Sequence, residues 1–251
     1  MDYQQNIKNI PRVPLGSYPT LLQELSRLGP GPQNYKLWIK RDDMLGGNKV
    51  RKLEFFMAEA MANSAQRVIT FGAEQSNHSR ETAIACRSLG LEPVIIVSSS
   101  QKGQIQGNSL LNHILGARML YVDPVKPAPF TPGGPQNIKQ LSDVLIASIP
   151  AGLLGEKTYI IPVGGYTPLG SLGYVLGFLE LFEQCQNRSI RLDYVVTAVG
   201  TTGTYCGLLA GAALINRDMK TKIRVIGISV TGNQSQASSE IADRARQTAA
   251  L

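Results

Sequence analysis

The sequence predicts an α/β protein of one large or two modest domains, built on mostly parallel twisted sheets with helices on both faces. Short apolar runs typical of strands, at 92–97, 118–122, 158–162 and 222–229, alternate with stretches of helical periodicity, and such alternation favours parallel sheets. Three other strand-like runs each pass directly into a glycine-rich or polar turn and then into a helix. The chain has 251 residues, 43% of them hydrophobic, which is enough to bury a sizeable core.

The first of these turns places a lysine between a strand and a helix. Residues 35–40 alternate polar and bulky side chains as a strand does, and residues 40–54 read KRDDMLGGNKVRKLE. Apolar residues then recur at helical spacing, at Val50, Leu53, Met57 and Met61. Gly46 and Gly47 let the backbone turn with positive φ and approach a ligand closely. Lys49 follows at the start of the helix, where a neutral amine is favoured and can hold a carbonyl cofactor; the alternative is a surface lysine after a loop.

The second turn brings three polar side chains to the end of a strand. Residues 67–71 (RVITF) predict a short buried strand, and GAEQSNH follows before a helix with apolar positions. Ligands of doubly wound folds bind at the carboxyl ends of the strands, so Ser76, Asn77 and His78 are expected to face the same crevice as Lys49. Plain helix capping by Ser76 or Asn77 is the alternative.

The third turn has the composition of a phosphate-binding loop. Residues 193–198 predict a strand, VGTTGT follows at 199–204, and small residues line the start of the next helix. Backbone amides at a helix start bind a phosphate without needing a positive side chain. The turn has neither the Walker sequence nor the Gly-x-Gly-x-x-Gly spacing of a dinucleotide fold. A phosphate loop together with a distant turn lysine suggests pyridoxal 5'-phosphate, which needs one group for its aldehyde and another for its phosphate.

Four segments in order along the chain resemble one known family. They read KRDDMLGGNKVRKLE, ITFGAEQSNHSRETA, YIIPVGGYTPLGSLGYV and VVTAVGTTGTYCGL, and they are similar to the family of D-cysteine desulfhydrase and 1-aminocyclopropane-1-carboxylate deaminase. The resemblance covers essentially the whole chain from Pro14 onward. It implies pyridoxal-phosphate fold type II, the tryptophan synthase beta-like fold.

The same resemblance implies roles for individual residues. Lys49 corresponds to the family's Schiff-base lysine, and Gly200, Thr201, Thr202, Gly203 and Thr204 correspond to its phosphate loop. Ser76 corresponds to a serine that contacts substrate and acts as a nucleophile in the cyclopropane-opening members. Asn77 corresponds to an asparagine near the phenolic oxygen of the cofactor. His78 and Tyr166 are expected at the substrate side, although a glycine-pair turn explains Gly164, Gly165 and Tyr166 equally well.

The implied reaction is an α,β-elimination, with Lys49 as both covalent anchor and general base. His78 favours a D-cysteine desulfhydrase, which converts D-cysteine to pyruvate, ammonia and hydrogen sulfide, because the deaminases tend to have glutamine at this position. 1-Aminocyclopropane-1-carboxylate deaminase and L-cysteate sulfo-lyase stay open as alternatives. A truncated, inactive fragment that keeps a folded core is an alternative of another class.

The resemblance also divides the chain. Residues 51–165 are expected to form a small domain, and 1–50 plus 166–251 an incomplete large domain that binds the cofactor. Relatives continue beyond Leu251, which we expect to lie within a helix that starts near 236. The partner of the pyridine nitrogen and an active-site tyrosine are therefore not identified in this sequence. We expect the segment 124–135 to be a surface loop. We expect the complete chain to form a homodimer.

Composition excludes several other classes of protein. The net charge of +7 is spread along the chain, without the interleaved aromatic residues of a nucleic-acid binder. Cys86, Cys185 and Cys206 are far apart and suit neither a metal site nor a disulfide framework. His113 has no partner motif and is interpreted as structural. Since no signal-type or membrane-spanning stretch is visible, we expect a cytoplasmic protein. The family resemblance implies a small amino acid as substrate.

Overall fold

Strands and helices alternate along the part of the chain that the computed structural model describes, which is residues 7, 9–28, 35–99, 103–126, 129, 135, 137–230 and 237–251. In chain order the elements are β1 (Leu22–Glu24), β2 (Trp38–Lys40), α1 (Val50–Ala62), β3 (Arg67–Gly72), α2 (Asn77–Ser88), β4 (Glu92–Ser98), α3 (Gly107–Ile114), β5 (Arg118–Val122), α4 (Ile138–Ala147), β6 (Thr158–Ile160), α5 (Pro168–Asn187), β7 (Tyr194–Val199), α6 (Gly203–Met219), β8 (Arg224–Ser229) and α7 (Ala237–Ala249). Short 3-10 turns occur at Asp42–Leu45, Ala151–Leu153 and Val163–Gly165.

The sheets are mostly parallel, as predicted. One sheet has the order β5-β4-β3-β6, and all of its pairs are parallel. A second parallel pair joins β7 to β8, whereas β1 and β2 pair antiparallel. The crossovers between parallel neighbours contain helices, so the carboxyl ends of the strands lie at one edge of each sheet.

Helices cover both faces of the four-stranded sheet. Val68 of β3 packs with Leu53 of α1 and Ala85 of α2. The next residue, Ile69, points to the opposite face and packs with Leu145 of α4, because successive side chains of a strand alternate between faces. The inner residues of β3 and β4 are accordingly buried on both sides, which explains why these strands are continuous apolar runs in the sequence.

The β7–β8 pair is covered on one face only within the described residues. Val195 and Val225 pack against the core that α5 and α6 form. On the other face Val196 and Ile228 are 63% and 55% exposed. The alternating burial along β7 follows from this one-sided cover.

A buried ionic network ties the start of α1 to α5. Arg51 of α1 donates to Asp42 at 2.8 and 2.9 Å and to Glu180 of α5 at 3.0 and 3.1 Å. Lys40 at the end of β2 also bonds Glu180, and the Tyr174 hydroxyl of α5 donates to Asp42 at 3.1 Å. These bonds orient α1, and therefore the turn that precedes it.

Most predicted elements are present, with a few corrections. The strand predicted at 35–40 is confined to β2, because only its last three residues pair with β1. Two side chains expected at apolar helical positions are solvent-facing, Met61 at 48% and Ile84 at 44% exposure; single exposed apolar groups on a helix cost little. The last helix ends at Ala249, so Leu251 lies outside it. The predicted loop 124–135 falls largely outside the described residues.

The three cysteines are buried and free, each within a helix. His113 donates a hydrogen bond from Nδ1 to the carbonyl oxygen of Ser109 in its own helix, at 2.7 Å, in keeping with a structural role. None of the helices in the described ranges combines the length and the apolar character needed to cross a bilayer.

Candidate active site

The three turns singled out in the sequence lie next to one another, and the link between them is Lys52. Its ammonium bonds the carbonyl oxygens of Gly164 and Gly165 at 3.2 and 3.4 Å. A Cβ atom built on Gly203 would lie 2.6 Å from Lys52 Nζ, and one on Gly165 would lie 3.7 Å from Cε1 of His78. The start of α1, the start of α2 and the start of α6 therefore surround one crevice at the carboxyl ends of the strands.

Lys49 is the residue immediately before α1. Its backbone amide donates to Oε2 of Glu81 at 2.6 Å, and its ammonium donates to Oδ1 of Asn48 at 2.7 Å. Burial lowers the pKa of Lys49, while the negative charge of Glu81 opposes the shift. An amine with a lowered pKa is neutral and nucleophilic in a larger fraction of molecules.

The glycine turn before Lys49 has the backbone geometry that the sequence predicted. Gly46 and Gly47 have φ values of +90° and +149°. A Cβ atom on Gly47 would lie 2.1 Å from Oε1 of Glu81, so no larger residue fits without moving that carboxylate. Glu81 is almost fully buried in α2, and sequence reasoning missed it because nothing in the local pattern of α2 singles out this glutamate.

Ser76 caps α2. Its Oγ accepts a hydrogen bond from the Ser79 amide at 3.2 Å, which is the capping geometry considered as an alternative in the sequence. The side chain is half-buried, and its hydroxyl still has a proton to donate. Asn77 is exposed, and its Oδ1 accepts from Nδ2 of Asn108 at 2.8 Å. Capping and a substrate contact are thus compatible at Ser76.

His78 is buried behind these residues, 5% exposed. Its Nε2 lies 2.9 Å from Oγ1 of Thr70, and that hydroxyl donates to Ile161 O at 3.0 Å. Since the hydroxyl has one proton, this pattern assigns the hydrogen to Nε2 and leaves Nδ1 as a bare acceptor, without a partner among the described side chains. Burial, and then the charges of Lys49 and Lys52, lower the pKa of His78 well below its usual value. The imidazole is therefore neutral at physiological pH.

The turn from Gly200 to Thr204 forms the start of α6. Thr202 adopts the left-handed conformation, with φ of +63°, just before the helix begins at Gly203. The Gly203 amide donates to the carbonyl oxygen of Thr201 at 2.8 Å. The amide of Thr204 lies in the first turn of α6, where no earlier helical carbonyl is available to it. Amides of this kind, with the helix dipole behind them, attract an anion.

Two cations at this turn were missed in the sequence. Lys52 is 1% exposed, and burial, followed by the charge of Lys49, lowers its pKa well below the usual value. Arg244 of α7 bonds Oγ1 of Thr202 through Nη1. The position of Lys52 one helical turn after Lys49 is a usable sequence signal, but Arg244 lies more than forty residues after the loop, and no local pattern points to it.

One face of the Tyr166 ring is covered by another side chain. Its ring lies under the guanidinium of Arg244, 4.6 Å from Cζ to the ring centroid. Its backbone also adjoins the phosphate-loop turn, since a Cβ atom on Gly203 would lie 3.1 Å from Tyr166 Cα. A substrate contact by Tyr166 stays a prediction.

The chain is similar to several known proteins over most of its length. The chain is 33% identical over 249 residues to a protein of Pyrococcus abyssi named putative 1-aminocyclopropane-1-carboxylate deaminase, covering 98% of this chain and 70% of the relative. It is 35% identical over 240 residues to D-cysteine desulfhydrase of Serratia proteamaculans, covering 92% and 68%. The crystal structure of an ACC deaminase homologue superposes with a TM-score of 0.75 at 32% identity, covering 97% of this chain and 70% of the other.

A family model described as pyridoxal-phosphate dependent enzyme matches residues 13–250. The match confirms three predictions made from the sequence: the fold class, the cofactor pyridoxal 5'-phosphate and the assignment as an enzyme. Members of this family act on small amino acids. The chain belongs to the family of pyridoxal-phosphate dependent enzymes.

Proposed function

We propose that this chain is a pyridoxal-phosphate dependent lyase that eliminates a β-substituent from a small amino acid, with D-cysteine as the substrate and Lys49 as the cofactor-binding lysine. One observation carries the proposal: a half-buried amine of lowered pKa and an anion-attracting helix start adjoin the same crevice, joined by Lys52. Pyridoxal phosphate has one aldehyde and one phosphate, and this pair of groups suits both.

The residues present fit the cofactor. The Lys49 amine would bond its aldehyde carbon, and the loop from Gly200 to Thr204, with Lys52 beside it, would hold its phosphate. Lys52 is a buried lysine whose described partners are only two carbonyl oxygens, and an anion beside it would stabilise its charged form. Asn77 would lie near the phenolic oxygen, as the resemblance implies.

When bound, the cofactor withdraws electrons from the α-carbon and makes its proton acidic. The Lys49 amine would accept that proton as the general base, and burial lowers its pKa so that a larger fraction of it is neutral. Loss of the β-thiol followed by hydrolysis converts D-cysteine and water to pyruvate, ammonia and hydrogen sulfide. Ser76 would donate its hydroxyl proton towards the substrate while its oxygen caps α2.

His78 supports D-cysteine over the cyclopropane amino acid through the resemblance of Ser-Asn-His to the desulfhydrases. The Nε2 proton of His78 is held by Thr70, and the pKa of His78 is lowered. His78 would therefore shape the substrate side of the site and offer Nδ1 as a hydrogen-bond acceptor, and it would not donate a proton to the substrate. 1-Aminocyclopropane-1-carboxylate deaminase is the second candidate, supported by the name of the Pyrococcus abyssi relative. L-Cysteate sulfo-lyase is the third.

Three further predictions accompany this proposal. They are a small domain of 51–165 with a large domain of 1–50 plus 166–251, a homodimer, and a cytoplasmic location. Gly164 and Gly165 lie at the predicted domain boundary, and their φ values are +64° and +57°. The chain turns at these two residues, and a turn there supports the predicted boundary.

The decisive experiment titrates the purified chain with pyridoxal phosphate, reduces it with borohydride and maps the modified peptide. We expect a visible absorbance band and a single reduced adduct on Lys49. Lys49→Ala is expected to abolish both, whereas Lys139→Ala, which removes an exposed lysine paired with Asp143, is expected to change neither. An adduct on another lysine would refute the assignment of Lys49.

Product assays then separate the candidate substrates. Sulfide with pyruvate identifies D-cysteine, sulfite identifies cysteate, and 2-ketobutyrate identifies the cyclopropane amino acid. A chain that is folded by circular dichroism but forms no adduct would contradict the proposal and favour an inactive core.

A further inference from the structure

Arg244 is a buried guanidinium at the start of α6 for which the proposed function has no role. It lies in α7, the last described helix, and is 8% exposed. One of its nitrogens bonds the Thr202 hydroxyl, and its plane covers the ring of Tyr166. The guanidinium is thus held from two sides against the loop that precedes Gly203.

The charges at this position are not balanced within the described part of the chain. Lys52 and Arg244 are both more than nine-tenths buried, and the positive charge of Arg244 contributes to the lowered pKa of Lys52. The ion pairs between described side chains include neither residue. A lysine relieves such repulsion by losing its proton, but an arginine does not lose its proton in proteins.

Burying a guanidinium without a counter-charge is unfavourable unless an anion compensates for it. The Thr202 hydroxyl that Arg244 bonds belongs to the residue directly before α6, and the first amides of that helix also attract negative charge. A phosphate monoester carries that charge and accepts hydrogen bonds from a planar guanidinium at two positions. The chemistry of the cluster therefore matches a phosphate group better than a carboxylate of the protein itself.

We propose that Arg244 is a phosphate-binding residue, and that it joins α7 to the cofactor site through the phosphate group. The proposal rests on the placement of the phosphate at the loop from Gly200 to Thr204. It goes beyond that placement because it assigns an anion-binding role to a helix remote in sequence. In the opposing interpretation Arg244 is only a packing residue that caps Thr202 and stacks on Tyr166.

The test compares Arg244→Gln with Arg246→Gln, a control on the same helix whose side chain is 75% exposed and paired with Asp243. Inorganic phosphate is titrated into each protein by calorimetry. Loss of a charge-assisted bond should weaken phosphate binding by about tenfold or more in Arg244→Gln, with Arg246→Gln within about twofold of the wild type. Equal phosphate affinity in Arg244→Gln and the wild type would overturn the proposal.

A second comparison uses pyridoxal phosphate against pyridoxal, which has the aldehyde but no phosphate. Arg244→Gln is expected to raise the concentration of pyridoxal phosphate needed for the reduced lysine adduct, and to leave the concentration of pyridoxal unchanged. A packing role predicts that both ligands are affected alike, and this result would contradict the proposal.

Two arrangements keep the result interpretable. If Arg244→Gln does not fold, the phosphate titration of the variant is replaced by hydrogen exchange of the wild-type chain. Phosphate should slow exchange in Ala237–Ala249, and unchanged exchange at every phosphate concentration would overturn the proposal. Failure of the proposed function is seen separately, as the absence of an adduct on Lys49, because the phosphate titration does not depend on that lysine.

Discussion

Replacing Gly173 of α5 by alanine tests how closely α5 must approach the helix that follows Lys49. A Cβ atom on Gly173 would lie 2.2 Å from the carbonyl oxygen of Arg51 and 2.5 Å from its carbonyl carbon. Non-bonded contacts are optimal at about 3.5–4 Å, so the added methyl group requires α1 and α5 to separate by more than about 1 Å. Because the obstacle is backbone, no rotamer change relieves it.

The magnitude follows from two opposing terms. Alanine is favoured over glycine in a helix interior by about 1 kcal/mol. Overpacking a buried contact costs about 1–3 kcal/mol and occasionally more, and a clash with rigid backbone belongs at the upper end. We expect a net loss of about 2 kcal/mol in the free energy of unfolding, or a Tm lower by about 4–8 °C for a chain of this size.

Gly177→Ala is the matched control, since Gly177 lies one turn further along the same helix. A Cβ atom there would lie 3.3 Å from Cδ of Arg51, so the side chain needs to move by only a few tenths of an ångström to reach an ordinary contact of about 3.5 Å. Its Tm is expected to stay unchanged or to rise slightly. Thermal and urea unfolding followed by circular dichroism measures both variants. Equal stability of Gly173→Ala and Gly177→Ala would refute the argument that backbone contact sets the distance between α1 and α5.

Two further predictions concern the ionic network beneath α1. Tyr174→Phe removes a buried hydroxyl that donates to Asp42, and it should lower the free energy of unfolding by about 1.5 kcal/mol. The control Tyr194→Phe changes an exposed site and should leave the free energy of unfolding unchanged. Urea unfolding measures both, and a Tyr174→Phe chain as stable as the wild type would contradict the prediction. Burial raises the pKa values of Asp42 and Glu180, but their bonds to Arg51 outweigh it and hold both below the usual range. The stability that these carboxylates supply is present above their unfolded pKa values and is lost as the pH falls below about 4. Asp42→Asn should therefore reduce the loss of stability at acid pH when the free energy of unfolding is measured against pH. The same acid loss in Asp42→Asn and the wild type would contradict this prediction.

The strands and the turns between them were predictable because their signals are local. Buried strands such as β3 and β4 are short apolar runs, and both are found where the sequence places them. Gly46 and Gly47 have the positive φ values expected of a tight turn. By contrast, the outward orientation of Met61 and Ile84 depends on which side of each helix packs on the sheet. Periodicity alone does not specify that side when small residues are spread around the helix.

The candidate site divides in the same way. Lys49 and the loop after β7 stand out in the sequence because a lysine or a glycine run at a strand-to-helix junction has a recognisable composition. Glu81 and Arg244 do not, since the first bonds the Lys49 amide from α2 and the second reaches Thr202 from α7. Their importance comes from contacts between elements distant along the chain, and side-chain identity alone does not encode such contacts.

The amino-acid sequence by itself determined the family of this protein, its α/β class, its cofactor and the lysine on which the proposal rests, because each depends on the order of residues within one short segment. Tertiary structure decided that the three turns share one crevice, that His78 is a neutral residue bonded to Thr70, and that the side chains of Lys52 and Arg244 are both buried at the start of α6. The physical reason is that burial and charge compensation are properties of the packed chain. The charge of a lysine or an arginine costs free energy only when folding removes water and counter-charges from around it, and the same removal leaves the side chain available to an anion.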